Sequence, residues 1–261
     1  MTNTIKVLDH GFVTLRNISG PTRRTITILD GPSPLDDLLG IDSDDIHRTV
    51  SRAFDADDTD PANSARMSFN QTDSGRTREQ DLKLAEYLMK NKHTTPFEMI
   101  EVWLEMKLPI FVARQFVRHR TVSINEVSGR YVQLPAEWYI PEIVGGKPVN
   151  AKQGQSDTLD QETQDWFKET LNLACSSSYT DYDAAIKGGV AAEHARLFLH
   201  VNHYTHWLWK QDLHNIMHFL SLRDHSHAQI EAQAYGKAVA QLLYQALPNS
   251  MELYMKYRRL P

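Results

Sequence analysis

The chain has 261 residues, of which 41% are apolar and 23% charged, with a net charge of −5 and a single cysteine. One cysteine excludes an internal disulfide, a cysteine-based zinc cluster and an iron–sulfur centre held by one chain, and it suits a reducing, cytoplasmic setting. The apolar share is that of a folding globular chain, and the mild acidity argues against an electrostatic nucleic-acid binder.

In chain order, the first twenty residues alternate apolar and polar in two short pieces around Gly11 and end at Gly20 and Pro21, which predicts a hairpin at a sheet edge. Polar residues run throughout MTNTIKVLDHGFV, and the longest apolar run, Leu108 to Ala113, contains Pro109, so neither a signal peptide nor a membrane span is expected. Residues 31–45 are a Pro-, Gly- and Asp-rich connector, and a short helix is expected over 46–54. Residues 55–76, dense in Asp, Asn, Ser, Thr and Gly, read as a loop, free or folded around a ligand.

Thr77 opens a helix to about Asn91 through a capping box with Gln80; Leu82, Ala85 and Met89 lie on its apolar face with Leu84 and Leu88 beside them. From Phe97 to Leu108 the period changes to two, Ile100, Val102, Leu104, Met106 and Leu108 pointing one way, which predicts a strand. Pro109 suits a first helical turn, and Ile110 to His119 reads as a helix with Arg114, Gln115, Arg118 and His119 on its polar face. Residues 145–158 look like an exposed insertion. Helices are expected over 159–187 and 191–198, a strand over 203–210, and a helix from an N-cap at Asp212 through Leu222. A last helix is expected from a Ser226–Gln229 capping box, with Ala228, Ala232, Tyr235, Val239, Leu242 and Ala246 as its buried stripe, until Pro248 stops it.

The densest polar constellation is RHRTVSINEVSGRY, Arg118 to Tyr131, presented directly after the buried strand and helix. Arginine supplies planar, permanently charged donors suited to phosphate, and Ser128, Gly129 and Arg130 offer hydroxyl, backbone amide and guanidinium to an oxyanion. Glu126 between them limits like-charge repulsion and can accept a hydrogen bond from a ligand. The same composition also fits a solvated Arg/Glu surface.

Arg118-His119-Arg120, followed after seven residues by Ser128, resembles the signature of the flavin-dependent thymidylate synthases, and Ser123, Asn125, Glu126, Arg130 and Tyr131 complete its extended form. Ala-Arg-x-Ser at Ala65 to Ser68, His93-x-Thr95-Pro96-Phe97-Glu98 and Ala113-Arg114-Gln115 resemble the family's upstream elements. Arg196, the Tyr204-Thr205 pair, the run Asp212 to Arg223 and Ser226-His227-Ala228-Gln229 follow in family order, so the resemblance spans about residues 65–235.

The resemblance implies an α+β fold with a mixed, mainly antiparallel sheet flanked by long helices, in a single catalytic domain over residues 1–261. It implies a methyltransferase that converts dUMP to dTMP, with methylenetetrahydrofolate as carbon donor and FAD reduced by NADPH as hydride source. It also implies a homotetramer whose sites are shared between subunits, binding small molecules and neither nucleic acid nor membrane. Carried over position by position, Gln115, Arg118, Glu126, Ser128, Gly129, Arg130, Arg196 and Arg223 match dUMP contacts. Ser68, His93, Thr95, Arg118, His119, Arg120, Asn125, Glu126, Asp212, His214, His218 and His227 match FAD contacts. Some family members carry Asn-x-Arg-Ser and a later Asn where this chain has Asp212, His214 and His218. Arg223 matches the position that promotes ionisation of uracil N3. Ser128 has no evident base beside it, so a phosphate contact suits it better than a nucleophilic role.

Two rival readings remain. The spacings of His200, His203 and His206, of His214 and His218, and of His225 and His227 raise a metal-dependent hydrolase, although no Glu lies between His214 and His218 to act as base. The other is a non-catalytic flavin- or nucleotide-binding module on the same fold. Cys175 lies outside every matched motif and reads as a small packing residue. No metal is expected.

Overall fold

The computed structural model describes residues 3–21, 56–69, 75–148, 158–225 and 227–259. Strands β1 (Thr4–Val7) and β2 (Gly11–Ser19) form the expected hairpin, turning through Leu8 at φ 59°. Between β2 and strand β3 (Glu101–Pro109) lie helices α1 (Asp60–Arg66), α2 (Arg78–Lys90) and α3 (Thr95–Glu98). Helix α4 (Ile110–Phe116) and strand β4 (Ser123–Glu126) follow. Helices α5 (Gln161–Lys187) and α6 (Ala192–Ala195) precede strand β5 (Tyr204–Asp212), which leads into α7 (Leu213–Arg223), α8 (Ile230–Ala246) and α9 (Pro248–Tyr257). The five strands make one sheet in the order β1-β2-β3-β5-β4, every pairing antiparallel, which is the expected α+β architecture.

The period-two pattern of the sequence sets the layers. Val102, Leu104, Met106 and Leu108 of β3 are buried, as are Trp207 and Trp209 of β5, whereas His206 and Leu208 are exposed. On the buried side α8 packs against β1, β2, α7 and α9, and these elements share one apolar cluster. A Cβ at Gly11 would lie 2.0 Å from the Tyr235 hydroxyl, so only glycine lets α8 approach the hairpin this closely. The other side of the sheet carries Trp103, Glu105, His206 and Lys210, with no helix upon it among the described residues. No helix among the described residues is long and apolar enough to cross a membrane.

Several boundaries differ from the sequence reading. Residues 55–76 are not a loop throughout: α1 and a 3-10 turn, Met67–Phe69, occupy their centre. The aspartates that suggested a loop act as buried acceptors. Asp57 takes the Thr59 amide and hydroxyl, while Asp58 takes the Asn249 and Ser250 amides at 3.1 and 2.7 Å, capping α9 from a distant segment. The predicted connector 31–45 and helix 46–54 lie outside the described residues, as does most of the predicted insertion, whose flanks Gly145 and Thr158 pair.

The Thr77–Gln80 capping box is present in both directions, but Asp81 shares the buried stripe of α2, where Arg66 ion-pairs with it, and Leu82 is only half-buried. The strand predicted from Phe97 starts at Glu101, because Pro96 sits in the first turn of α3. Helix α4 ends at Phe116, short of His119. Asp212 caps α7 as expected, accepting from the Asn215 amide at 2.9 Å. Helix α8 begins at Ile230 with Gln229 as N-cap and no side-chain cap, leaving Ala228 ahead of it; Ser226 lies outside the described residues. Pro248 ends α8 and also opens α9, which the sequence reading did not anticipate.

Candidate active site

The end of α4, the end of α7 and the start of α8 converge on Arg223. Its Nε donates to His119 Nε2 at 3.2 Å, and its Nη2 donates to the Gln115 carbonyl at 3.2 Å. Gln115 in turn donates from Nε2 to Gln229 Oε1 at 2.5 Å. A Cβ at Gly236 would lie 3.1 Å from the Arg223 carbonyl carbon, so a glycine in α8 lets the helix pass directly under the arginine backbone.

Burial first, then the charges of Arg223 and His218, push the His119 imidazole down to about 4. At neutral pH it is therefore uncharged and serves as an acceptor, its ring packed edge-on against Phe219 at 5.0 Å. Burial also lowers the Arg223 pKa, yet a guanidinium stays charged under such a shift. With Nε and one Nη2 hydrogen spent on the protein, the rest of the fork remains for a ligand.

A second cluster gathers the polar run. Glu126 ends β4 beside Trp207 and accepts a hydrogen bond from the Thr205 hydroxyl. Ser128 Oγ accepts from the Arg130 amide at 3.3 Å, and the Tyr131 and Val132 amides close a turn on the Ser128 carbonyl. Buried Gly129 faces Arg196: a Cβ there would sit 3.5 Å from Arg196 Cδ. Arg130 pairs with Glu193 at 3.3 Å and lies over the Tyr131 ring. The Ser128 hydroxyl, the Gly129 backbone and the side chains of Arg130 and Arg196 therefore lie close together around this turn, groups of a kind suited to a phosphate. No hydrogen bond or ion pair joins this cluster to that of Arg223 among the described residues.

The positions matched to FAD fall in several places. His214 and His218 lie on successive turns of α7, with His218 6.3 Å from the His119 ring, and α7 packs against α3, which starts at Thr95 just after His93. His214 is lowered by burial and then by Arg258, whose Nη1 lies 3.2 Å from its Nδ1. Arg118, Arg120 and His227 are exposed, and neither arginine has an ion pair among the described residues. Exposed guanidinium groups of this kind suit a flavin diphosphate. Ser68 lies in the 3-10 turn after α1. The Asp212 carboxylate is occupied as the α7 cap.

Asn125 is placed elsewhere. It pairs with Leu208 on the uncovered side of the sheet and lines a cavity of about 570 Å³ with Arg16, Trp103, Glu105 and His206. The neighbouring Glu126 points to the opposite side of the sheet, so the two residues present their side chains to different faces.

Sequence reasoning gave no site role to Thr205, Glu193 or Arg258, and gave Gln229 only a capping role. Thr205 and Gln229 lie inside quoted motifs, and the alternation of β5 would have put Thr205 on the buried face. The histidines raised as metal ligands are dispersed: His203 is buried and pushed down to about 4 by desolvation, while His206 bonds to Glu105 at 2.7 Å on the uncovered face. Among the described residues no three His, Cys, Asp or Glu side chains are grouped to hold a metal. Cys175 is buried in α5, receives the Asn202 amide at 3.3 Å, and burial pushes its thiol up.

Residues 49–249 match a family model described as thymidylate synthase complementing protein. The flavin-dependent thymidylate synthase of Gluconobacter oxydans is 40% identical over 207 residues, 77% of this chain and 68% of that protein. That of Thermus thermophilus is 41% identical over 193 residues, 74% of this chain and 69% of the relative. The chain belongs to the flavin-dependent thymidylate synthase family. It spans about two thirds of the length of these relatives. The crystal structure of a UMP/dUMP methylase PolB from Streptomyces cacaoi bound with 5-Br dUMP superposes with a TM-score of 0.74 at 24% identity, covering 98% of this chain and 99% of that one; this likeness concerns the fold.

Proposed function

We propose that this protein is a cytoplasmic, single-domain methyltransferase that reductively methylates dUMP to dTMP, with methylenetetrahydrofolate as carbon donor and NADPH-reduced FAD as hydride source. Arg223, half-buried and held at two atoms, in a chain of this family, is the observation that carries the reading. Uracil C5 is a poor nucleophile, and ionising N3 spreads negative charge through the ring toward C5. A fixed guanidinium in a site that excludes water stabilises that anion without reorganising. Neutral His119 orients the guanidinium without adding a competing positive charge.

Ser128, Gly129, Arg130 and Arg196 hold the dUMP phosphate, while Gln115, Arg118 and Glu126 complete the nucleotide contacts. Ser68, His93, Thr95, Arg118, His119, Arg120, Asn125, Glu126, Asp212, His214, His218 and His227 are assigned to FAD, which supplies hydride chemistry when bound. The placement of Asn125 on the face opposite Arg223 supports a homotetramer in which one chain's uncovered sheet face serves another chain's site. Exposed Trp166 and Leu173 on α5, 63% and 70% accessible, with Leu197 and Val201 nearby in sequence to α6, supply apolar surface for such contacts.

The test is direct. Purified protein is expected to be yellow and to release tritium from C5-labelled dUMP only when NADPH and the folate are both present. Colourless, zinc-containing protein would support the hydrolase instead. Yellow protein that stays inert with all substrates would support a binding module.

A further inference from the structure

We infer that Thr205 is a positioning residue that fixes the Glu126 carboxylate for the ribose 3′-hydroxyl of the nucleotide; this rests on the dUMP reading above. Glu126 is the last residue of an exposed, four-residue edge strand. A glutamate there has three rotatable bonds, and an unrestrained one loses affinity through ordering when it binds. Thr205 removes that freedom. It is 4% exposed, lies on the interior strand β5, and donates its hydroxyl to Glu126 Oε1. The register explains the reach: Glu126 pairs with Trp207, so Thr205 is its diagonal neighbour on the same face. The next amide, Val127, donates to the His206 carbonyl at 2.8 Å and holds the end of β4 against β5. A β-branched side chain also has a stiff χ1, which makes Thr205 a fixed donor rather than a mobile one.

With Oε1 engaged, Oε2 remains to accept from a ligand, and a carboxylate accepts only. The phosphate and the uracil carbonyls offer it no donor. Uracil N3 is the position given to Arg223, and an anionic ring would repel a carboxylate. The 3′-hydroxyl is the donor that remains on dUMP.

Thr205→Val keeps the shape and removes the donor, and Thr205→Ser restores a hydroxyl. Binding of dUMP and of 2′,3′-dideoxyuridine monophosphate is to be measured by equilibrium dialysis on FAD-loaded protein, with FAD content and thermal midpoint recorded alongside. The wild type is expected to favour dUMP by about tenfold or more, as a charge-assisted hydrogen bond allows. Thr205→Val should reduce that preference to about threefold or less, with FAD content unchanged, and Thr205→Ser should recover most of it. An unchanged preference in Thr205→Val overturns the inference, because a purely structural role would weaken both ligands alike. Loss of FAD in its place would assign Glu126 to the cofactor and also overturn it. If the wild type binds no dUMP, the proposed activity itself fails, and this inference with it.

Discussion

Replacing Arg223 by lysine separates charge from geometry. The guanidinium spends two donors on the protein, Nε on His119 and Nη2 on the Gln115 carbonyl, each at 3.2 Å, and keeps the others directed at the site. An ammonium has the charge but no planar fork; once it reaches one of these acceptors, it has no fixed donor left along the old direction. Losing one charge-assisted hydrogen bond in a desolvated site costs about 1.5–3 kcal/mol, or about 10- to 150-fold in turnover. The phosphate-side cluster of Ser128, Gly129, Arg130 and Arg196 is untouched, so dUMP affinity should fall by no more than about threefold. Tritium release from C5-labelled dUMP at saturating substrate reads turnover, and equilibrium dialysis reads affinity. Turnover within twofold of wild type would refute the role given to Arg223; a loss confined to dUMP affinity would make it a binding group only.

Gly236→Ala tests the same arginine from behind. Its Cβ would press on the Arg223 carbonyl carbon at 3.1 Å, so a loss of about 1–3 kcal/mol in stability is expected together with reduced turnover, and urea melts with tritium release check both. Arg130→Ala should raise the dUMP KM about tenfold or more while FAD content stays the same; an effect on FAD retention alone would refute the phosphate assignment. His203 is buried and held near 4, below the usual imidazole value of about 6.5, so the unfolded chain binds the extra proton between these values. Its contribution to stability is therefore complete above about pH 6.5 and is lost as the pH falls toward 4, at up to about 1.4 kcal/mol per pH unit. Urea melts across that range should show the slope, and His203→Gln should flatten it; an identical slope in the variant would assign the titration to other groups.

The elements legible in the sequence are those whose pattern is local. The alternation from Ile100 to Leu108, the Thr77–Gln80 box and the Asp212 cap each depend on residues within a few positions, and each is present. The Asp-rich stretch misled for the opposite reason. Asp58 caps a helix through Ser250, 192 positions later, and Asp81 is buried because Arg66 reaches it across α1 and α2, partnerships that composition does not reveal. The start of α8 was misplaced because a Ser-x-x-Gln pattern also occurs where the Gln side chain turns away to Gln115.

By itself the sequence determined the family and the strand that organises the core. It also determined the residue types assembled for an anionic ligand, because motifs and periodicity are properties of neighbouring residues. Only the tertiary structure decided how those residues are grouped. Contacts between Gln115 and Gln229, Arg223 and His119, and Glu126 and Thr205 join segments 79 to 114 positions apart, and whether a side chain faces the helices or the uncovered side of the sheet follows from strand register. The period of two in β4 sends Glu126 and Asn125 to opposite faces, so two adjacent residues of one motif serve different surfaces.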